Sequence, residues 1–230
     1  MRILKWLVAL PVAVFVFFNA YVYGNIITYR AVAPHKTSFM WVRMNQYARE
    51  NRDVSLDYRW VPYNRISVNL KKALIASEDA AFSSHSGFDW NGIKNAMRRN
   101  EASGTIKGGG STISQQLSKN LFLNEWQSYI RKGEEAAITA MLEATTDKDR
   151  IFELYLNVIE WGHGVFGAEA AARHFYKKPA ANLTKQQAAK LAARVPAPLF
   201  YADNPKSKRL RGKTNIILRR MGSAELPENE

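Results

Sequence analysis

Two glutamates stand where a carboxylate could be tuned for proton transfer. Glu78 lies where a helical pattern runs into Asp79-Ala-Ala-Phe82-Ser-Ser-His85-Ser-Gly87-Phe88. Burial beside Phe82 and His85 would raise its pKa toward the working range of a general base. Glu135 follows Arg131 by one helical turn and Lys132 by three residues. That spacing also describes a plain i,i+4 ion pair, worth only a few tenths of a kcal/mol. Between the two glutamates, Ser111 and Thr112 precede Gln115, Gln116, Lys119 and Asn120. The pairs Gln115/Lys119 and Gln116/Asn120 are i,i+4 and share a face opposite Ile113, Leu117 and Leu121. Such a face is either solvated, or a dense patch of donors for a ligand rich in hydroxyls and phosphate oxygens.

Other chemistries find little support. Gly104-Thr-Ile-Lys-Gly-Gly-Gly-Ser111 invites a phosphate-loop reading, but its Lys precedes the glycines and no Gly-Lys-Ser/Thr ends it. A glycine loop opening a helix can still offer free amides to an anion, and a flexible linker is the simpler account. His35, His85, His163 and His174 show no His-Glu-x-x-His or similar spacing, so a dedicated zinc site is not expected. The absence of cysteine rules out disulfides, thiolate metal sites and a Cys nucleophile. With 33 Lys+Arg against 20 Asp+Glu, the formal charge of +13 calls for an anionic partner: nucleic acid, an anionic bilayer or a phosphorylated substrate. A hydrophobic share of 47% excludes wholesale disorder, and 230 residues suit one good-sized domain or two small ones.

These residues need elements to position them. Trp6 to Tyr23 carries no charge and only Asn19 as a strongly polar residue, long enough to cross a hydrocarbon core of roughly 30 Å as a helix. Trp6, Tyr21, Tyr23 and Tyr29 fall where interfacial aromatics belong, and Arg2 and Lys5 favour a cytoplasmic N-terminus. The run is long for a signal peptide and Val22-Tyr-Gly24 is a poor cleavage site, so an uncleaved anchor is expected. Residues 31–66 read as irregular, with Phe39-Met-Trp-Val42 a short piece of core. Helices are expected from Val68, over Trp90–Arg99, Ser111–Phe122, Ser128–Thr145 (Ile130, Ala137, Ile138, Met141 and Leu142 inward), Arg150–Ile159, Val165–Tyr176, Thr184–Ala193 and Lys206–Met221. Asn100–Gly110 reads as a loop. Arg150–Ile159 is apolar on most sides and should be central, and Thr184 with Gln187 makes a capping box. Pro196 and Pro198 should stop that helix. No alternating strand series occurs, so an open parallel sheet and a dinucleotide fold are not expected. The expected division is a cytoplasmic N-terminus (1–5), anchor (6–23), juxtamembrane segment (24–59), catalytic domain (60–221) and frayed tail (222–230).

In order along the chain, five motifs resemble those of the peptidoglycan glycosyltransferases over about residues 60–200. They are Glu78-Asp79-x-x-Phe82-x-x-His85-x-Gly87, Gly110-Ser111-Thr112-Ile113-x-Gln115-Gln116-Leu117-x-Lys119-Asn120, Arg131-Lys132-x-x-Glu135, Arg150-Ile-Phe-Glu153-Leu-Tyr155-Leu156-Asn157, and Gly164-Val-Phe-Gly167-Ala-Glu-Ala170-Ala171 with Phe175-x-Lys177. No transpeptidase domain would fit after residue 230, so the resemblance is to members with one anchor and one catalytic domain. It implies a mainly α, lysozyme-like fold. It implies polymerisation of lipid II at the outer face of the cytoplasmic membrane, by a single-pass protein. The lipid-pyrophosphate-linked glycan is the donor, the GlcNAc 4-hydroxyl of an incoming lipid II the nucleophile, and an α-linked donor gives a β-1,4 product by inversion. Glu78 matches the general base and Glu135 the second glutamate near the pyrophosphate. Lys119, Arg131 and Lys132 match cationic positions near phosphates. Asp79, Phe82, His85, Gly87, Ser111, Thr112, Gln115, Gln116, Asn120 and Asn157 fall on motif positions and are expected at the substrate site. No tightly bound cofactor is implied. A divalent cation such as Mg2+ bridging the pyrophosphate near Glu135 stays open. The expected partners are lipid II, the growing lipid-linked glycan and membrane lipids, with other cell-wall synthesis or division proteins open, and not nucleic acid. Four residues before Arg131, where the family commonly has Arg, this chain has Gln127. The alternatives are a lysozyme-like peptidoglycan hydrolase or lytic transglycosylase, and a non-catalytic scaffold with a decayed site.

Overall fold

The computed structural model describes residues 2–104, 110–124, 126 and 128–227, with side chains from residue 9 onward. The chain begins with α1 (Arg2–Tyr29), whose segment Ala9–Tyr29 is apolar and long enough to cross a bilayer. Its polar side chains satisfy themselves within the helix: Asn19 Nδ2 donates to Phe15 O, and Asn25 Nδ2 to Tyr21 O, each at 2.8 Å. Leu10, Val12, Val14, Phe15, Val16 and Phe17 are exposed, whereas Val22 and Ile26 are fully buried against the remainder of the protein. Tyr29 stacks on Phe122 with ring centroids 6.1 Å apart. The Arg150 guanidinium donates to Tyr29 O (2.8 Å) and Val32 O (3.0 Å), tying the end of α1 to the core.

Residues 31–66 are not irregular throughout. Thr37 caps α2 (Ser38–Arg49), accepting from Met40 N at 3.2 Å. Its inward stripe is Phe39, Met40, Arg43 and Tyr47. The charge of Arg43 interrupts the apolar period there, and Glu160 meets it at 3.1 Å in the interior. Of the short apolar run, Phe39 and Met40 are core but Trp41 is 65% exposed. The expected juxtamembrane segment 24–59 therefore packs as part of the domain.

A short strand, β1 (Asp57–Tyr58), precedes α3 (Val68–Glu78), which Ser67 caps. Leu70, Ala73, Leu74 and Ile75 bury one face of α3, while Val68 in its first turn is exposed. Next come α4 (Trp90–Ser103), α5 (Ile113–Phe122), α6 (Tyr129–Thr145) and α7 (Lys148–Val158). Helix α4 runs past Arg99 and ends at Gly104, which adopts the left-handed conformation with φ +61°. Of the expected loop Asn100–Gly110, residues 105–109 lie outside the described residues. Helix α7 is central as expected, with Ile151, Phe152, Leu154, Tyr155, Leu156 and Val158 buried, and it packs on α5. In α6, Ile138 and Leu142 point inward, but Ile130 is 79% exposed because the first turn projects from the body.

The segment expected to begin a helix at Val165 first forms β3 (Val165–Phe166), paired antiparallel with β2 (Glu160–Gly162) and parallel with β1. This three-stranded patch is a clasp, not a dinucleotide-binding sheet. Gly167, with φ +83°, turns the chain into α8 (Ala168–Tyr176) so tightly that a Cβ would sit 2.4 Å from Asn157 O. The capping box of Thr184 and Gln187 opens α9 (Lys185–Ala192) as expected, and Pro198 starts the short α10 (Pro198–Asp203). Finally α11 (Lys208–Arg220) packs on α3 and α9. The stretch after it is not frayed up to Pro227: Ala224 and Pro227 are buried, and Ser83 Oγ donates to Glu225 O at 3.3 Å.

Candidate active site

Glu78 is the last residue of α3, partly buried where α3 meets α5. Ser77 Oγ donates to its Oε1 at 2.9 Å, and Gln116 Nε2 of α5 donates to its Oε2 at 3.2 Å. Gln116 is itself oriented by the Tyr155 hydroxyl of α7, which donates to its Oε1 at 3.0 Å. Burial is the largest influence on Glu78 and raises its pKa. The two hydrogen bonds and the Lys213 ammonium oppose that rise in part, and Asp79 adds to it. Burial also holds the Tyr155 phenol well above its ordinary value, so it stays a donor at any working pH.

Asp79 turns the other way and braces the start of α5. Its Oδ2 accepts the Ile113 amide at 2.9 Å, and both oxygens lie 3.0 Å from His85 Nε2. His85 Nδ1 accepts the Gly87 amide at 3.1 Å. An amide can only donate, so the ring proton sits on Nε2 and points at Asp79. Gly87 has φ +86°, and a Cβ there would lie 2.9 Å from Thr139 Cγ2. Gly87 O in turn accepts from Thr112 Oγ1 at 2.7 Å. Thr112 and Gln115 form a capping box over the first turn of α5. These five candidate residues thus form one buried brace that fixes α5 against the end of α3.

Glu135 lies 3% exposed near the start of α6. Arg131 Nη1 donates to its Oε2 at 2.7 Å, and Lys132 Nζ donates to its Oε1. Lys132 Nζ also reaches Ser111 Oγ at 3.3 Å, so Ser111 joins this cluster just ahead of α5. Both carboxylate oxygens are engaged by cations, and among the described residues no group of three His, Cys, Asp or Glu could hold a metal. A donor set of two cations and a hydroxyl does not fit a resident divalent cation. It fits an anion that competes for the same two cations.

The remaining candidates separate. Lys119 and Asn120 continue along α5: Asn120 Nδ2 donates to Gln116 O at 2.7 Å, and the Lys119 ammonium lies 5.7 Å from the Phe39 ring centroid. Phe82 and Asn157, expected to touch substrate, are fully buried. Phe82 packs on Phe152, and Asn157 clamps Val61 through Nδ2 to Val61 O (2.9 Å) and Val61 N to Oδ1 (3.0 Å). Gln127 lies outside the described residues. The residues that sequence reasoning missed are Ser77, Tyr155 and Lys213. Lys213 had a usable signal: it stands three residues after Leu210 and four before Ile217, both buried, so a lysine occupies an inward position.

The model of the transglycosylase family matches residues 45–222. A biosynthetic peptidoglycan transglycosylase of Neisseria meningitidis serogroup C / serotype 2a is 80% identical over 229 residues, covering 100% of this chain and 98% of the relative. One of Neisseria gonorrhoeae is 78% identical with the same coverage. The two relatives match over the two-glutamate region and α1 alike, the family model over the two-glutamate region without α1, and the mainly α, lysozyme-like architecture accords with them. The chain belongs to the transglycosylase family.

Proposed function

We propose that this chain is a peptidoglycan glycosyltransferase that polymerises lipid II with inversion, Glu78 serving as the base and the Glu135 cluster receiving the pyrophosphate. The carrying observation is Glu78 itself: a carboxylate at the end of α3, held by Ser77 and by Gln116 of α5, whose pKa burial raises. A base so tuned removes the proton from the acceptor 4-hydroxyl as that oxygen attacks the donor anomeric carbon from the face opposite the pyrophosphate. The C–O bond to pyrophosphate breaks in the same displacement. The leaving group is already good, so no strong acid is required, only positive charge where its oxygens depart. Arg131 and Lys132 supply that charge by exchanging one of their bonds to Glu135 for the substrate. Lys119 extends the positive line along α5. Helix α1 places the domain at a membrane surface as a single-pass anchor, with the catalytic part on the outer face, where the lipid-linked substrate and product lie in the same plane. Membrane lipids are its other partners.

Loss of a positioned base costs on the order of 10²–10⁴ in rate. The full chain in detergent with lipid II should therefore lose that much polymerisation in Glu78→Gln. A rate within about threefold of wild type, about 0.7 kcal/mol of barrier, removes Glu78 from the role. Incubation with a glycan lacking the lipid distinguishes the hydrolase reading, since a polymerase leaves it intact. Polymerisation in EDTA at an undiminished rate is expected from the cationic donor set, and a loss restored by Mg2+ would return a divalent cation to the site.

A further inference from the structure

Helix α7 sends one hydroxyl toward the base, and the reaction as proposed leaves it unused. Tyr155 is fully buried, its ring stacked near Phe152 with centroids 6.3 Å apart. Its hydroxyl donates to Gln116 Oε1 at 3.0 Å, and Gln116 Nε2 donates to Glu78 Oε2 at 3.2 Å. Side chains from α7, α5 and α3 therefore form one line of hydrogen bonds that ends on Glu78. The two ends of a glutamine amide have nearly the same shape, so its hydrogen-bond partners decide which end faces where. Burial keeps the Tyr155 phenol protonated, and among the described residues Gln116 Oε1 is the one partner of its hydroxyl. The amide oxygen thus belongs to Tyr155 and the NH2 group to Glu78.

We propose that Tyr155 is a positioning residue for the transfer reaction, its hydroxyl locking the Gln116 amide in the orientation that serves an ionised Glu78. This rests on the reading of Glu78 as the base. An NH2 group can only donate, and its bond to a carboxylate is roughly twice as strong as one to a neutral acceptor. A reversed amide would point its oxygen at Glu78, where only the protonated acid could meet it. Reversal would also leave the Tyr155 proton buried without an acceptor, which the core disfavours. One amide orientation therefore satisfies both the tyrosine proton and the ionised base. Ser77 Oγ holds the other Glu78 oxygen, and the charges that act on Glu78 are Asp79 beside it and Lys213 of α11. Asp79 is already turned to His85 and the Ile113 amide. Helix α9 and the turn Met221–Ser223 also pack on α3, but the turn has no titratable side chain and Lys185 and Lys190 of α9 are not among the charges acting on Glu78.

The pH dependence of kcat/KM for lipid II, measured on the full chain, tests this. The acidic limb reports the free base, which must be ionised to act. Tyr155→Phe keeps the ring and removes the donor, so the amide is free to turn. The limb should then move to higher pH by about half to one unit, at or below the scale of one hydrogen bond to a charged group, because the freed amide still donates part of the time. Tyr155→Met gives the same reading should the Phe variant fold poorly. Gln116→Met removes the amide itself and should move the limb the same way, and Tyr155→Phe added to it should move the limb no further. A Tyr155 variant that loses rate equally at all pH values, with its limb unmoved, overturns the proposal and makes Tyr155 a packing residue. A double variant whose limb moves by the sum of the two single shifts overturns it too. Glu78→Gln, run alongside, separates the two claims: if it keeps the rate, the base assignment fails regardless of what Tyr155 does.

Discussion

At the scale of single residues, two adjacent carboxylates divide the labour by where their oxygens point. Glu78 keeps a partly open face and a pKa raised by burial; Asp79 spends both oxygens on His85 and the Ile113 amide. The raised folded value of Glu78 means the folded protein holds this proton more tightly than the unfolded chain does. Its ionisation therefore costs stability from the unfolded value of about 4.5 upward, the cost growing until the folded value is passed. Glu78→Gln should accordingly be more stable than wild type at neutral pH, while it loses activity. Thermal unfolding from pH 4 to 8 should show the two melting temperatures converging as the pH falls to about 4.5, and a constant difference across that range would contradict the burial cost. Asp79→Ala should do the opposite, removing a charged acceptor from two buried donors at a cost of about 2–3 kcal/mol, a fall of roughly 5–10 °C in Tm. Of the four residues that the sequence groups within one short stretch, Asp79 and Phe82 meet His85, whereas Glu78 takes its hydrogen bonds from Ser77 and Gln116. The sequence could not say which carboxylate faced outward, because that depends on α5, which arrives 34 positions later to claim Asp79 through the Ile113 amide.

At the scale of elements, legibility followed how well the inward stripe obeyed a single hydrophobic period. Helices α5 and α7 were readable because Ile113, Leu117 and Leu121, or Ile151, Leu154 and Tyr155, recur at helical spacing with no charge among them. Helix α2 was not, because Arg43 occupies an inward position, where it meets Glu160, 117 residues away, and Gln46 one turn on. The clasp strands are hidden because each is only two or three residues, too short to alternate. Arg43→Ala should leave Glu160 buried without its cation and destabilise the fold by roughly 3–5 kcal/mol. Replacing both, as Arg43→Met with Glu160→Gln, should recover most of that loss. Urea titrations of the two variants measure the difference. If the double variant is no better than the single one, the pair is not what α2 contributes.

At the scale of the whole molecule, the apolar N-terminal helix α1 is not an appendage. Sequence reasoning put a boundary near residue 24 because hydropathy falls there. Packing, which hydropathy does not register, carries α1 into the domain through Val22, Ile26 and Tyr29. Arg150, on a motif of the transglycosylase family, spends its guanidinium on Tyr29 O and Val32 O as well as on Glu153. Cutting the chain after residue 30 would remove two fully buried aliphatic side chains and one of the Arg150 acceptors. At about 1.5–3 kcal/mol for each buried aliphatic, the loss approaches roughly 3–6 kcal/mol as an upper estimate. Cutting before Phe18 instead removes the exposed apolar turns and keeps Val22, Ile26 and Tyr29 in place. The two truncations should therefore behave differently. The shorter deletion should keep a Tm near that of the full chain in mild detergent, and, on the proposed reading of α1 as an anchor that shares a plane with the lipid substrate, turn over more slowly only when lipid II is dilute. The longer deletion should lose Tm and turnover at every lipid II concentration. Circular dichroism melts of both proteins decide it, and equal melting temperatures would restore the boundary at residue 24. Through Arg150 the end of α1 is tied to α7, and α7 carries the Tyr155 that orients Gln116 toward Glu78, so a cut that removes Tyr29 acts on the same helix that positions Glu78.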